Sequence, residues 1–114
     1  VNRTRPRVDA LLAVLGRAGA EGCYVYAFDE AAAERAYARF FNPTVGLWED
    51  AATGTAAGPL TAYLGSEGLL PRGELVIEQG TSMGRQSFLH VRLGPDPEIS
   101  GSGVVSLRGT LHLP

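Results

Sequence analysis

The chain has 114 residues, 45% of them hydrophobic, and its 10 basic and 12 acidic residues give a net charge of −2. This length predicts one domain, residues 1–114, with a single core, and the scattered basic residues argue against nucleic-acid and membrane partners. The single cysteine, Cys23, excludes an internal disulfide and a cysteine-rich zinc site, so a cytoplasmic location without metal is expected.

The first part of the chain predicts one helix and two strands. Apolar residues recur at helical spacing from Arg7 to Arg17, with Pro6 near the start. Residues Cys23 to Phe28 are rich in aromatic and β-branched side chains, which favours a strand. Residues Arg35 to Phe41 alternate and are also predicted as a strand, although residues 31–38 are compatible with a helix.

The second part predicts a core helix followed by three strands. From Thr55 to Leu64 small and apolar residues surround the helix axis, as expected for a helix enclosed by other elements. Pro59 is tolerated only within about the first turn, which places the helix start at Thr55 or later. Alternating patterns predict strands over Glu74 to Gln79, Ser87 to Leu93 and Val104 to Leu113.

The turn that leads into the core helix is a candidate anion site. The acidic pair Glu49 and Asp50 precedes a run of small residues in which Gly54 permits close backbone approach and Thr55 is a plausible N-cap. The first amides of a helix have no internal partner and lie at its positive end, so they stabilise a carboxylate or phosphate. The alternative is that the small residues only serve tight packing.

A second glycine-rich segment, residues 79–87, lies between two predicted strands and carries Arg85. Together, the two segments resemble the C-terminal half of PhzF-like phenazine-biosynthesis proteins, which are relatives of diaminopimelate epimerase. The family pattern is Glu-Asp-Pro-Ala-Thr-Gly-Ser-Ala-x-Gly followed by Gln-Gly-x-x-Met-Gly-Arg-Pro-Ser. Residues 39–43 are similar to the family's Arg-x-Phe-Ala-Pro, and Ala51, Thr55 and Gln86 depart from the pattern. The matching residues are Glu49, Asp50, Thr53, Gly54, Ala56, Gly58, Gln79, Gly80, Met83, Gly84, Arg85 and Ser87.

The resemblance implies an α+β fold of the diaminopimelate epimerase type, with an antiparallel barrel-like sheet wrapped around a central buried helix. It implies that Asp50 orients the ligand while Gly54, Thr55 and Ala56 lie against it. Arg85 could clamp a ligand carboxylate, or it could pair with Glu49 or Asp50 as scaffold, which we favour slightly. Cys23, His90 and His112 are assigned no chemistry.

The resemblance also implies a function, a cofactor-independent isomerase that moves a proton and a double bond on a small carboxylated metabolite. Family members place the site between two similar halves, and the catalytic glutamate and a Gly-His segment belong to the first half. Neither motif is found here, and the chain begins at Val1 instead of Met, so we interpret it as a fragment that is inactive alone. It is expected to act with the N-terminal half or with a second copy as a homo-oligomer. The alternatives are a self-associating binding module for a small carboxylate and a purely structural remnant.

Overall fold

The computed structural model describes residues 1–32 and 34–113, and these form two α-helices and six strands. Short 3₁₀ turns occupy Glu30–Ala32, Pro43–Val45 and Thr81–Met83. The helices are α1 (Val8–Ala18) and α2 (Gly54–Ser66), and the strands are β1 (Cys23–Phe28), β2 (Arg35–Asn42), β3 (Leu47–Asp50), β4 (Glu74–Gln79), β5 (Ser87–Arg92) and β6 (Glu98–Ser100).

Helix α1 confirms the first predicted helix, but it lies loosely on the rest of the chain. It ends at Gly19, which adopts the left-handed conformation at φ 63° that an achiral residue accepts without strain. Leu15 is its single buried residue. Val8, Leu12 and Val14 keep more than a third of their surface exposed, so an apolar stripe on this helix has no cover within the described residues.

The strands form one mixed sheet in which the central strand β2 carries neighbours on both edges. Antiparallel β1 occupies one edge along residues 36–41. The other edge is shared, because parallel β4 pairs with residues 35–38 and antiparallel β3 pairs with Phe40 and Asn42. Strands β5 and β6 then follow β4. Strands β3 and β4 therefore end beside each other, which brings together two segments that are distant in sequence.

Helix α2 packs across one face of this sheet and forms the core with it. Ala36 and Ala38 on β2 contribute small side chains to this core, and the helix contacts mainly β5, β6 and β4. The other members of the buried cluster are Ala57, Leu60, Leu64, Leu70, Leu75, Ile77, Leu89 and Val91. The burial of these side chains supplies most of the hydrophobic stabilisation.

The α+β class is confirmed, whereas the barrel-like wrapping is not. The sheet is open at β1 and at β6, and its β2–β4 pairing is parallel. Helix α2 is covered on one side only, since Tyr63 is 52% exposed. The helix also begins at Gly54, so the expected start at Thr55 or later is wrong and Pro59 lies in the second turn.

The expected last strand, from Val104 to Leu113, does not form within the described residues. The structure instead places the short strand β6 earlier, at Glu98–Ser100 against β5. Residues 101–113 have no regular secondary structure and are exposed throughout. Leu107, for example, is 86% exposed. Neither described helix is long and apolar enough to cross a membrane.

Candidate functional site

The candidate site is the turn between β3 and α2. Asp50 is the last residue of β3 and lies opposite Phe40 of β2, which fixes its position at the edge of the sheet. Ala51 and Thr53 are buried beneath the turn, whereas Asp50 is half-buried. The pairing of β3 with β2 therefore fixes the backbone of Asp50 a few residues before the start of α2.

The first amides of α2 are open, in the sense that two of them have no hydrogen-bond partner among the described residues. The N–H groups of Ala56 and Ala57 both donate to the carbonyl oxygen of Thr53, at 3.2 and 3.1 Å. No partner is recorded within the described residues for the N–H groups of Gly54 and Thr55. At the positive end of a 13-residue helix, two free donors stabilise an anion by hydrogen bonds and by about 0.3–1 kcal/mol from the helix dipole.

The N-cap of α2 is Thr53, so the expected N-cap role of Thr55 is wrong. The Thr53 side chain makes no capping hydrogen bond. Its hydroxyl instead donates to Asp50 Oδ2 at 2.7 Å and accepts from Gln79 Nε2 at 2.9 Å. The hydroxyl that would normally satisfy a helix amide is thus engaged with the carboxylate of Asp50.

The two glycine-rich segments are in direct contact. Gly80 adopts φ +81°, and a Cβ atom on it would lie 2.2 Å from the carbonyl oxygen of Arg85 and 2.7 Å from that of Ala51. Ser82 donates to Glu49 Oε1 at 2.7 Å. The segments that carry the family resemblance therefore form one structural unit around the turn.

Glu49, the acidic residue before Asp50, forms an ion pair with Arg39. Arg39 Nε and Nη2 each bond a carboxylate oxygen of Glu49 at 2.8 Å, and both side chains are nearly buried. The hydrogen bond from Arg39 lowers the pKa of Glu49, burial opposes this shift, and the bond from Ser82 supports it. Glu49 is thus a fixed anion of the scaffold. In the sequence, this partner, Arg39, lies in the segment 39–43, which resembles the family pattern.

The expected scaffold pairing of Arg85 with Glu49 or Asp50 does not occur, because Arg39 occupies Glu49. Arg85 is exposed, and its backbone N–H donates to the carbonyl oxygen of Gly80 at 3.0 Å. Among the described residues the recorded ion pairs do not include Arg85. Its role in holding a ligand carboxylate stays a prediction, as do the ligand contacts of Asp50, Gly54, Thr55 and Ala56.

An open cleft of about 370 Å³ lies next to the turn. Its lining includes Ala52, residues 86–89 and residues 99–102, but not Asp50, Gly54 or Thr55. Asp50, Gly54 and Thr55 therefore lie outside the lining of this cleft. Within residues 1–32 and 34–113, no group of three His, Cys, Asp or Glu side chains is arranged to hold a metal ion.

Comparison with known proteins gives a family match along nearly the whole chain. Residues 1–110 match the family model PhzC-PhzF, described as phenazine biosynthesis-like protein. The chain is 40% identical over 89 residues to trans-2,3-dihydro-3-hydroxyanthranilate isomerase of Pseudomonas chlororaphis, covering 72% of this chain and 32% of that protein. It is 32% identical to an uncharacterized isomerase of Clostridium acetobutylicum, covering 99% of this chain and 41% of that protein.

A solved structure agrees with these similarities. A predicted epimerase from Pseudomonas aeruginosa is similar with a TM-score of 0.55 and 38% sequence identity, covering 78% of this chain and 30% of that one. The chain described here thus spans about a third of the length of the relatives it matches.

Proposed function

The chain belongs to the PhzC-PhzF phenazine biosynthesis-like family, and from this we propose that it forms the C-terminal, ligand-binding half of a cofactor-independent isomerase. In this proposal it acts on a small carboxylated metabolite together with an N-terminal half that supplies the general base. The observation that carries the proposal is the hydrogen bond between the Asp50 carboxylate and Thr53, the residue directly before Gly54 and Thr55, whose backbone N–H groups have no partner among the described residues.

This arrangement suits a ligand that has an acceptor and a donor group close together. The amides of Gly54 and Thr55 attract a carboxylate, whereas the ionised Asp50 side chain accepts from a hydroxyl or amino group. A relative at 40% identity is named for trans-2,3-dihydro-3-hydroxyanthranilate, which combines a carboxylate, a hydroxyl group and an amino group on one ring. We propose the same class of substrate, a carboxylated ring with a neighbouring donor, for this chain.

The reaction we propose conserves atoms and electrons within the substrate. A base removes a proton from one carbon, the electron pair of that C–H bond shifts the double bond, and a proton is returned at another carbon. No oxidant or cofactor is needed for this balance. The part of Asp50 is to orient the ring, so that the carbon that loses its proton faces the base contributed by the other half.

The base is proposed to come from outside this chain because Glu49 is unsuited to the task. Its two carboxylate oxygens are bound by Arg39, and the resulting low pKa makes it a weak acceptor of a carbon-bound proton. One of these oxygens also accepts a hydrogen bond from Ser82. A glutamate from the N-terminal half, as the family resemblance implies, is the proposed base.

Two uncovered apolar surfaces support a missing partner half. Helix α1 exposes Val8, Leu12 and Val14, and the unpaired segment 104–113 exposes five large aliphatic side chains. Exposed apolar surface of this extent is typical of a docking site. The five are Val104, Val105, Leu107, Leu111 and Leu113.

Isomerisation of trans-2,3-dihydro-3-hydroxyanthranilate in D₂O, followed by NMR, tests the proposal. We expect no turnover by the 114-residue chain alone, and turnover when the first half of the Pseudomonas chlororaphis relative is added. Asp50→Asn should abolish this turnover, whereas the matched control Asp96→Asn, in an exposed loop, should not. Conversion by the isolated chain would show the proposal to be wrong, and so would full activity of Asp50→Asn.

The alternative function is a self-associating module that binds a small carboxylate without converting it. The exposed segment 104–113 favours this alternative too, because it could equally pair with a second copy. Sedimentation of the isolated chain, together with the mass of the natural protein, discriminates the two. A stable dimer, with no coding sequence for a further half upstream of Val1, would favour the module.

A further inference from the structure

The side chain of Gln79 uses its complete hydrogen-bonding capacity around the turn that carries Asp50. Its Oε1 accepts from the Tyr24 hydroxyl at 2.8 Å and from the Thr53 backbone N–H at 3.3 Å. Its Nε2 donates to the Asp50 carbonyl oxygen at 2.8 Å and to Thr53 Oγ1 at 2.9 Å. A backbone N–H can only donate and a carbonyl can only accept, so these partners leave one orientation for the amide.

These hydrogen bonds form a series, from donor to acceptor, that ends at the Asp50 carboxylate. Tyr24 donates to Gln79, Gln79 donates to Thr53, and Thr53 donates to Asp50 Oδ2 at 2.7 Å. Thr53 has one hydroxyl proton, and because its oxygen accepts from Gln79, that proton is directed to Asp50. Within the described residues, the recorded side-chain bonds of Asp50 involve Oδ2, so Oδ1 is left for another partner.

Burial makes this series of hydrogen-bonded side chains rigid. Gln79 is fully buried, and Thr53 is 7% exposed. Burial, followed by the negative charge of Asp50, raises the pKa of Tyr24, so its hydroxyl stays protonated as a donor. A broken bond here would leave a buried polar group unpaired, which is unfavourable.

The stability of α2 does not require this series of hydrogen bonds. A threonine at the N-cap normally accepts a hydrogen bond from a helix amide, which stabilises the helix. Thr53 forgoes that bond and engages Asp50 and Gln79 instead. One arrangement thus fixes the carboxylate of Asp50 and leaves the helix amides open.

We propose that Thr53, Gln79 and Tyr24 are positioning residues that hold the Asp50 side chain in one rotamer, with Oδ1 directed to the ligand. This inference deepens the proposed function and rests on it for the identity of the ligand. Thr53 acts directly on Asp50, Gln79 orients Thr53, and Tyr24 orients Gln79. The effect of substitution should therefore decrease from Thr53 outwards to Tyr24.

The first test needs no ligand. Three-bond couplings between Hα and Hβ report the rotamer populations of Asp50 in the isotope-labelled chain. We expect a single rotamer in the unsubstituted chain and in Thr53→Ser, which keeps the hydroxyl, and averaging in Thr53→Val, which keeps the shape without it. An averaged Asp50 in the unsubstituted chain, or an unchanged rotamer in Thr53→Val, would overturn the proposal.

The second test measures the affinity for anthranilate, a stable carboxylate with a neighbouring amino group. Thr53→Val should weaken binding about tenfold, and Thr53→Ser should restore it to within about twofold. Tyr24→Phe should have a smaller effect, and Tyr26→Phe on the same strand serves as its matched control, because Tyr26 is partly exposed. Equal affinity of Thr53→Val and Thr53→Ser would overturn the positioning role.

The two tests separate this inference from the proposed function. If the unsubstituted chain does not bind anthranilate, the proposed ligand class fails, and the rotamer measurement still decides whether the three residues fix Asp50. Gln79→Met is a second variant for the same measurement, with Gln86→Met in the exposed loop as its control. Amide shifts of Val91 and Arg92, at the end of β5 opposite to the pair of Ser87 with Gln79, check that each variant is folded.

Discussion

Arg39 binds both carboxylate oxygens of Glu49, at 2.8 Å each, within the segment that leads to the candidate site. The same guanidinium donates from Nη1 to the carbonyl oxygens of Val1, Asn2 and Thr4 at 3.0–3.3 Å. Arg39 therefore joins the first residues of the chain to β3. Because the planar fork of arginine matches a carboxylate, lysine could not replace it here.

Loss of this ion pair should strongly destabilise the fold. The side chains of Arg39 and Glu49 are 6% and 10% exposed, so Arg39→Met leaves a nearly buried carboxylate without its partner. We expect the free energy of unfolding to fall by about 3 kcal/mol or more, measured by urea denaturation. The control is Arg92→Met, which removes an exposed pair with Glu98 and should leave the unfolding midpoint unchanged.

The low pKa of Glu49 predicts how stability depends on pH. Ionised Glu49 stabilises the fold at pH values above the ordinary pKa of its carboxyl group, 4.5. This contribution is lost as the pH falls through the lowered pKa of the folded state. Glu49→Gln lacks the contribution, so its deficit in unfolding free energy should be largest near neutral pH and shrink below pH 4.5. Urea denaturation across a pH series measures this. A deficit that stays constant to pH 3 would contradict it, and Glu21→Gln, in an exposed turn, is the control.

A substitution at Gly80 should separate the two glycine-rich segments. A Cβ atom would meet the carbonyl oxygens of Arg85 and Ala51, and the positive φ adds strain. Gly84 has a similar φ of +68° and open space around it. Gly80→Ala should therefore lower the unfolding free energy by clearly more than Gly84→Ala, whose cost is about 1 kcal/mol from conformation alone. Equal losses in thermal denaturation would show that the contact with Ala51 is unimportant.

Gly16→Ala should stabilise the chain. Gly16 lies inside α1, and a Cβ atom there would have no neighbour within 4 Å. Alanine reduces the freedom of the unfolded chain, so the unfolding free energy should rise by about 0.5–1 kcal/mol. Circular dichroism during urea denaturation measures the change. A decrease would mean that α1 is not helical around residue 16.

Truncation after Gly103 should leave the stability of the isolated chain nearly unchanged. The described part of the removed segment, residues 104–113, contributes no regular secondary structure and no buried side chain, so the change should be within about 0.5 kcal/mol. Its exposed aliphatic side chains should instead promote association, and truncation should reduce self-association in sedimentation experiments. A large loss of stability in the truncated monomer would show that the segment packs on its own chain.

The sequence predicted α1, β1, β4 and β5 closely, because α1 has a helical period, β4 and β5 alternate, and β1 is rich in aromatic and β-branched side chains. It missed β3, since Leu47–Asp50 is short and half of it is charged. It also missed β6, which has three residues and follows Pro97. The strand expected over 104–113 has the right alternation, but it pairs with neither open edge of the sheet, β1 or β6, because alternation by itself does not specify a partner strand.

The sequence by itself determined the α+β class, the family and the two motif segments, because these depend on residue types and on local periodicity. Only the tertiary structure decided that the ends of β3 and β4 share one edge of β2. That pairing places Gln79 opposite Ala38 and Asp50 opposite Phe40, two positions apart on the same strand. Strand pairing depends on contacts between distant residues, which no local pattern encodes, so the hydrogen bonds from Gln79 to the Asp50 turn were visible only in the folded chain.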